Sequence, residues 1–260
     1  MQEYRTKEIY GDFYKNDGKP LVVVLGGSRP GLPASLSENL LNYLKQNYNV
    51  LLLAYFGVGE LPKTLENIPV EYFVNSIRFI QENHKTCDNQ VVIIGQSKGG
   101  EAALLLSNYV ESSLTIACVP GCYVFQGLPV TPFSIKHPKS SWAFNNKGLP
   151  YIKFYYDEDI MRDAENNIYC SCHEKSIEKN FNKEAVINVD NYKGKILLLS
   201  SENDKYWPSK NMSNILIENS KNKNNIDHIT LDLEGHYFLN YNQSVDEIIN
   251  FLEENVKFIS

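Results

Sequence analysis

Gly95-Gln96-Ser97-Lys98-Gly99 sets a serine between two glycines, where the apolar run Val91-Val92-Ile93-Ile94 gives way to Glu101-Ala102-Ala103-Leu104. Strand, tight turn, then helix is the setting that makes Gly-x-Ser-x-Gly a nucleophile elbow. The glycines keep Cβ atoms out of a turn where strand and helix nearly touch, and the strained apex pushes the hydroxyl out of the sheet. A serine hydroxyl is a weak nucleophile. It needs a base, a carboxylate to orient that base, and N–H donors for the oxyanion. Downstream, Ser201-Glu202-Asn203-Asp204-Lys205-Tyr206-Trp207-Pro208 follows one apolar run, and Glu234-Gly235-His236-Tyr237 follows the last. Asp204 is the expected acid, with Glu202 as its rival, because Asp204 lies deeper in the loop before the helix opening near Pro208. His236 is the expected base; the plainer reading of any lone histidine is a hydrogen-bonded structural group. His84 falls at a helix end, His228 at a strand start, and His137 and His173 in a stretch without clear period.

The oxyanion donors are expected to be two backbone amides. One is Lys98 N–H, at a helix N-terminus where the dipole also favours negative charge. The other belongs to the loop Gly26-Gly27-Ser28-Arg29-Pro30-Gly31-Leu32-Pro33. Proline has no N–H, which leaves Ser28 or Arg29 as donor. Arg29 is also a candidate contact for an anionic part of a substrate, although a loop arginine is more often simply solvated.

These residues need elements to hold them. Residues 1–20 read as an edge strand or hairpin ending in Asn16-Asp17-Gly18-Lys19-Pro20. Residues 21–25 and 50–54 are continuous apolar runs of the buried parallel type, and helical periodicity fills 35–48 and about 70–83. The elbow strand begins at 90, and 113–119 is the next strand. Residues 195–200, 209–220, 226–233 and 245–256 resume strand, helix, strand and helix. The alternation predicts an α/β chain with a mostly parallel, doubly wound sheet and helices on both faces. Ser, then Asp, then His is the order of the α/β-hydrolase fold. Between about 120 and 194 the alternation fails, and this insertion before the last two strands is expected to contain short helices that partly cover the site. No internal repeat or linker interrupts the chain, so one domain over 1–260 is expected.

With 260 residues, 43% hydrophobic and 22% charged, the chain has the composition of a soluble globular protein and can bury a core without staples. A formal net charge of −6 argues against nucleic acid or an anionic membrane as partner. The N-terminus lacks the apolar core of a signal peptide, and no apolar run approaches the ~18 residues of a spanning helix, so the cytoplasm is the expected location. Five cysteines without an export signal read as free thiols. Cys170-Ser171-Cys172-His173 has the look of half a metal site, but no second pair stands at ligand spacing. No metal or cofactor is expected.

Several further stretches carry a family resemblance. They are Leu53-Ala54-Tyr55-Phe56-Gly57 with Leu61-Pro62, Ile68-Pro69-Val70-Glu71-Tyr72-Phe73, and the extended elbow Gly95-Gln96-Ser97-Lys98-Gly99-Gly100-Glu101. Leu25-Gly26-Gly27-Ser28, Ser140-Ser141-Trp142 with Leu149-Pro150-Tyr151, Glu202-Asn203-Asp204 with Trp207-Pro208-Ser209, and Gly235-His236 complete the set. In these the chain resembles the C-terminal catalytic domain of the acyl-CoA thioester hydrolase / bile acid-CoA:amino acid N-acyltransferase family. The resemblance implies an α/β-hydrolase fold, a Ser97–Asp204–His236 triad and an acyl thioester substrate. Animal thioesterases of the family carry an N-terminal β-sandwich, and with 1–260 expected to be one catalytic domain, none is expected here. The bile acid transferases carry cysteine where this chain has Ser97, and an oxygen ester is readily released by water, so hydrolysis is expected over transfer. The leading expectation is a serine hydrolase that cleaves a small-molecule acyl thioester through an acyl-enzyme. The alternatives are a carboxylesterase, or a small amide hydrolase or acyltransferase, on the same triad, and a non-catalytic binding protein that keeps the fold.

Overall fold

The computed structural model describes residues 1–87, 90–128 and 131–256. The chain begins with the antiparallel hairpin β1 (Gln2–Arg5) and β2 (Tyr10–Tyr14), then enters β3 (Leu21–Leu25), which is buried at every position. A strand apolar throughout must be covered on both faces, and its side chains divide accordingly. Leu21, Val23 and Leu25 enter one apolar cluster, Val22 and Val24 the other. Helix α1 (Glu38–Asn47) starts where Ser37 Oγ accepts the Leu40 N–H, slightly inside the expected 35–48, because that cap satisfies the first turn. Then come β4 (Asn49–Leu53), the short β5 (Ile68–Pro69), α2 (Val70–Asn83), β6 (Val91–Gln96), α3 (Lys98–Leu106) and β7 (Leu114–Cys118).

The segment expected to be irregular holds α4 (Pro132–Lys136), β8 (Trp142–Phe144), β9 (Lys147–Gly148), α5 (Glu158–Glu165) and α6 (Cys170–Asn180). Residues 129 and 130 of this segment, and 257–260 at the C-terminus, lie outside the described residues. Regular alternation returns with β10 (Lys195–Asn203), α7 (Ser209–Asn219), β11 (Ile226–Glu234) and α8 (Asn242–Asn255).

Eight strands form one sheet in the order β1-β2-β4-β3-β6-β7-β10-β11, and every pair from β4 onward is parallel. Leu40 and Leu44 of α1 and Val245, Ile248, Phe251 and Leu252 of α8 cover one face. Phe73, Ile77 and Ile80 of α2, the fully buried α3, and Met212 and Leu216 of α7 cover the other. Each fully buried Leu or Ile contributes roughly 2 kcal/mol relative to exposure, so the two apolar layers are the main hold on the sheet. This is the mostly parallel, doubly wound architecture expected from the alternation. A second sheet, β5-β8-β9, was not legible in the sequence: strands of two or three residues have no period to read.

Strand register sets the site. Leu25 pairs with Gly95, so the glycine loop after β3 and the elbow after β6 emerge side by side. Asn203 pairs with Glu234, so Asp204 and Gly235-His236 emerge together as well. The chain runs from β3 outward to β4 and then crosses back to β6 on β3's other side. Sheets of this kind open their crevice where the order reverses, outside the carboxyl ends of the strands.

Candidate active site

Ser97 stands at φ 58°, ψ −119°, a backbone conformation that costs a non-glycine residue on the order of 1–3 kcal/mol and persists only when its surroundings enforce it. The surroundings are backbone. A Cβ on Gly95 would lie 2.0 Å from Gly99 O, and one on Gly99 would lie 2.3 Å from Gly26 O, so both positions exclude a side chain. Ser97 N donates to Cys118 O at 2.9 Å, fixing the elbow to β7. Ser97 is 8% exposed, and its successor Lys98 is the first residue of α3.

Asp204 and His236, the expected acid and base, meet as their strand ends bring them together. His236 Nδ1 lies 3.0 and 2.9 Å from the two Asp204 carboxylate oxygens. With Nδ1–H given to Asp204, the Nε2 lone pair is left for a proton acceptor's role. Asp204 Oδ1 also accepts the Tyr206 and Trp207 amides, at 2.9 and 3.4 Å. The Tyr206 ring stacks on the imidazole, with centroids 5.0 Å apart, and Trp207 meets it edge-on at 5.8 Å. Gly235 adopts φ +120°, and a Cβ there would fall 2.3 Å from Tyr241 Oη, so the turn presenting His236 needs glycine. Glu202 is turned outward, with both carboxylate oxygens 2.7 Å from Lys210 Nζ.

Two strands separate His236 from Ser97, and three contacts bridge that gap. Gln96 Oε1 accepts the Leu239 N–H at 2.9 Å, which ties the loop of His236 to the elbow. Trp207 Nε1 donates to Val119 O at 2.7 Å, and Val119 N to Leu199 O at 2.6 Å, closing the crevice floor at the end of β7. Among the described residues the Ser97 hydroxyl itself makes no hydrogen bond to His236; such bonds are often long in unliganded sites and tighten with substrate. Ser28 and Arg29 are exposed, and it is Gly27 that reaches Ser97: a Cβ there would lie 3.1 Å from Ser97 Cβ and 3.6 Å from Ser97 Oγ.

Sequence reasoning missed a buried ion pair beneath the elbow. Lys98 Nζ lies 2.8 Å from Glu101 Oε2, with both side chains almost wholly enclosed. Glu101 Oε1 accepts Trp142 Nε1 at 2.7 Å and Phe125 N at 3.3 Å, and Lys98 Nζ lies within 6 Å of the Phe125 and Trp142 ring centres. Burial pushes the Lys98 ammonium toward its neutral form, and the Glu101 carboxylate opposes that shift. The signal was present, since Lys98 and Glu101 stand three apart on one helix face, but a helix that the sequence alone leaves half-exposed gives no reason to bury a charge.

His173 was also undervalued. Its ring lies edge-on to Phe125, Phe154 and Trp207 at 5.1–5.3 Å, and its Nδ1 lies 2.9 Å from Tyr169 O. Burial pushes its pKa down to about 4. The neighbouring Cys170 and Cys172 thiols donate to two separate carbonyls, Asp204 O and Tyr155 O, and no group of three or more His, Cys, Asp or Glu side chains among the described residues could hold a metal ion. Helix α6 also braces the acid loop, as Tyr169 N and Cys170 N both donate to Lys205 O. No helix among the described residues is long and apolar enough to cross a membrane.

A doubly wound sheet with a strained serine after one central strand and a carboxylate–histidine pair after two later ones is the α/β-hydrolase fold. Solved structures agree on that fold. The esterase Pf2001 of Pyrococcus furiosus superposes with a TM-score of 0.61 at 15% identity, covering 96% of this chain and 88% of that one. A lipase-esterase related protein of Clostridium acetobutylicum gives 0.56 at 17% identity, covering 96% and 100%. Within that fold, the chain belongs to the BAAT / acyl-CoA thioester hydrolase C-terminal family, whose model matches residues 68–240. It is similar to acyl-coenzyme A amino acid N-acyltransferase 2 of Rattus norvegicus, 25% identical over 219 residues that cover 80% of this chain and 47% of the relative. It is also similar to acyl-coenzyme A thioesterase 6 of Homo sapiens, 27% identical over 103 residues that cover 40% and 24%. The chain spans about half the length of the curated relatives it matches most extensively.

Proposed function

We propose that the protein is a serine hydrolase acting on acyl thioesters, with Ser97 as nucleophile, His236 as base and Asp204 as the group that orients His236. The observation that carries this reading is the two-oxygen grip of Asp204 on His236 Nδ1, in the same crevice as a serine at φ 58°. Ser97 Oγ attacks the acyl carbonyl as His236 Nε2 takes its proton. The oxyanion is held by Lys98 N–H and an amide of the glycine loop. The His236 imidazolium gives its proton to the departing sulfur, which leaves as the thiol while the acyl group remains on Ser97 Oγ. The neutral imidazole then takes a proton from water as that water attacks the ester, and returns it to Ser97 Oγ as the acid is released. Glu101 and Lys98 fix the start of α3 beneath the reacting atoms. The thioester assignment is supported by the acyl-coenzyme A thioesterases among the relatives.

Ser97→Ala should lower turnover of acyl-CoA substrates about ten-thousand-fold or more. A fluorophosphonate should label Ser97 in the wild type and fail to label it in Ser97→Ala or His236→Ala. Full turnover by Ser97→Ala would sink the assignment, and no labelling of a folded wild type would favour a non-catalytic binding protein. Comparing kcat/KM on acyl-CoA and p-nitrophenyl esters separates thioesterase from carboxylesterase.

Transfer to an amine is a second reading, favoured by one observation: the relatives aligned over 80% of this chain are named amino acid N-acyltransferases. Product analysis with acyl-CoA and free amino acids decides it. Free acid as the dominant product supports hydrolysis; N-acyl amino acid supports transfer.

A further inference from the structure

Tyr55 is 2% exposed, and its ring packs against Phe56, Phe73 and Trp142 at 5.3, 5.4 and 5.7 Å between centroids. Its hydroxyl reaches two consecutive carbonyls of the loop after β3, Gly26 O at 2.7 Å and Gly27 O at 2.6 Å. A phenol has one proton, so the two carbonyls share it. Burial pushes the phenol's pKa up, and the group remains a donor. In a planar trans peptide the N–H points opposite to the C=O. Holding the Gly26 and Gly27 carbonyls against Tyr55 therefore turns the N–H groups of Gly27 and Ser28 away from it. This same loop meets Ser97, since a Cβ on Gly27 would lie 3.6 Å from Ser97 Oγ.

We propose that Tyr55 is a positioning residue for the oxyanion site: its hydroxyl orients the Gly26–Gly27 and Gly27–Ser28 peptides so that an N–H of this pair faces the oxygen that becomes negative at Ser97. The inference rests on the reading of Ser97 as nucleophile. It explains why a buried hydroxyl is spent on two carbonyls of a loop whose tip, Ser28–Pro30, is exposed. It also identifies what fixes a loop whose glycines leave it little rigidity of its own.

Tyr55→Phe removes the hydroxyl and keeps the ring. With p-nitrophenyl butyrate, kcat should fall about 10- to 100-fold with KM held within about twofold, and a trifluoromethyl ketone that forms a tetrahedral adduct should bind weaker by a similar factor. Tyr192→Phe is the matched control. Tyr192 is also buried, and its hydroxyl contacts Ser112 Oγ and Thr115 Oγ1 at 3.0 and 3.1 Å, away from the crevice. A merely structural loss would lower the melting temperature in both variants and leave kcat and ketone affinity unchanged in both, and that result overturns the proposal. The wild type supplies a test that needs no folded variant: a boronic acid adduct at Ser97 should move the Gly27 or Ser28 amide proton downfield. If neither moves, the proposal falls. Failure of the underlying reading looks different, as Ser97→Ala would then keep its turnover and Ser97 would escape the fluorophosphonate. With Ser97 labelled and Tyr55→Phe as active as wild type, only the role of Tyr55 is lost.

Discussion

The eight-stranded sheet and the segment from 120 to 194 are held together by different means. In the sheet the inner strands β4, β3, β6, β7 and β10 are fixed by their neighbours' backbone and by apolar layers on both faces, so no single side chain carries them. The insertion has short elements; it adds Tyr123, Phe125, Trp142, Ile152 and Tyr192 to the core and is tied down further by polar anchors. Glu101 takes Trp142 Nε1 and Phe125 N; Gln126 Oε1 takes Phe154 N; Ser140 O takes Asn67 N; and Lys205 O takes the start of α6. Glu101 matters most because it sits one turn along the helix from Ser97 and pairs with Lys98. Where apolar area is large, order comes from many weak contacts. In the insertion a few strong polar contacts add to the apolar packing, and those few can be removed one at a time.

The most severe break is Glu101→Ala. It strands the Lys98 ammonium in a buried site and releases two N–H donors, so denaturant unfolding should show a loss of about 3–5 kcal/mol. Proteolysis should then cut first within the insertion, and cleavage beginning in the sheet instead would break the comparison. Next in size is an acid dependence centred on His173. Its folded pKa of about 4 lies below the ordinary value of 6.5, so the unfolded chain binds the extra proton. The stability is complete above about pH 6.5 and is lost as pH falls toward 4, by at most about 3 kcal/mol. His84 and His228 are lowered in the same direction, so the measurement is the difference between wild type and His173→Gln. Urea midpoints from pH 4 to 7 should slope less steeply in the variant, and equal slopes would remove His173 from the account.

A smaller effect sharpens the same contrast from the sheet side. Gln96→Ala leaves the buried Leu239 N–H unpaired, at a cost of about 1–2 kcal/mol. On the proposed mechanism it should also lower kcat about tenfold by loosening the turn that presents His236, as steady-state kinetics would reveal. The smallest effect separates the two carboxylates of the acid loop. Glu202 is half-exposed in its pair with Lys210, so Glu202→Gln should change stability by no more than about 0.5 kcal/mol and leave turnover intact. Asp204→Asn in the same assay should cost most of the turnover. Equal losses would return Glu202 to candidacy.

The elements of the sheet were legible because their patterns are local. Residues 21–25 form a strand with the expected bounds, as five apolar residues between a Pro-containing turn and a glycine loop admit little else. Helix α2 also keeps its expected bounds, with Pro69 at its N-cap. The insertion was legible only as an exception to the alternation. Trp142 reads as one aromatic among many, and its partner Glu101 lies 41 residues away with no periodic signal to connect them. Tyr55 was legible as part of a motif, and its contact with Gly26 and Gly27 was not, because that contact depends on α2 and β8 pressing the ring toward the loop.

The chain by itself determined which residue types could do chemistry and in what order: a serine flanked by glycines, a carboxylate and a histidine after later strands, and the alternation that makes a parallel sheet. Those follow from properties carried within a few residues, such as side-chain volume, backbone freedom and apolar period. Tertiary structure alone decided which atoms meet. Pairing Leu25 with Gly95 and Asn203 with Glu234 brings four loops to one crevice, and a shift of one residue in either register would turn their side chains to the opposite face. It also decided that Glu202 faces water, that Gly27 reaches Ser97, and that an ion pair lies beneath the elbow. Such contacts join residues distant in sequence, and their energies exist only once the backbone between them has been fixed.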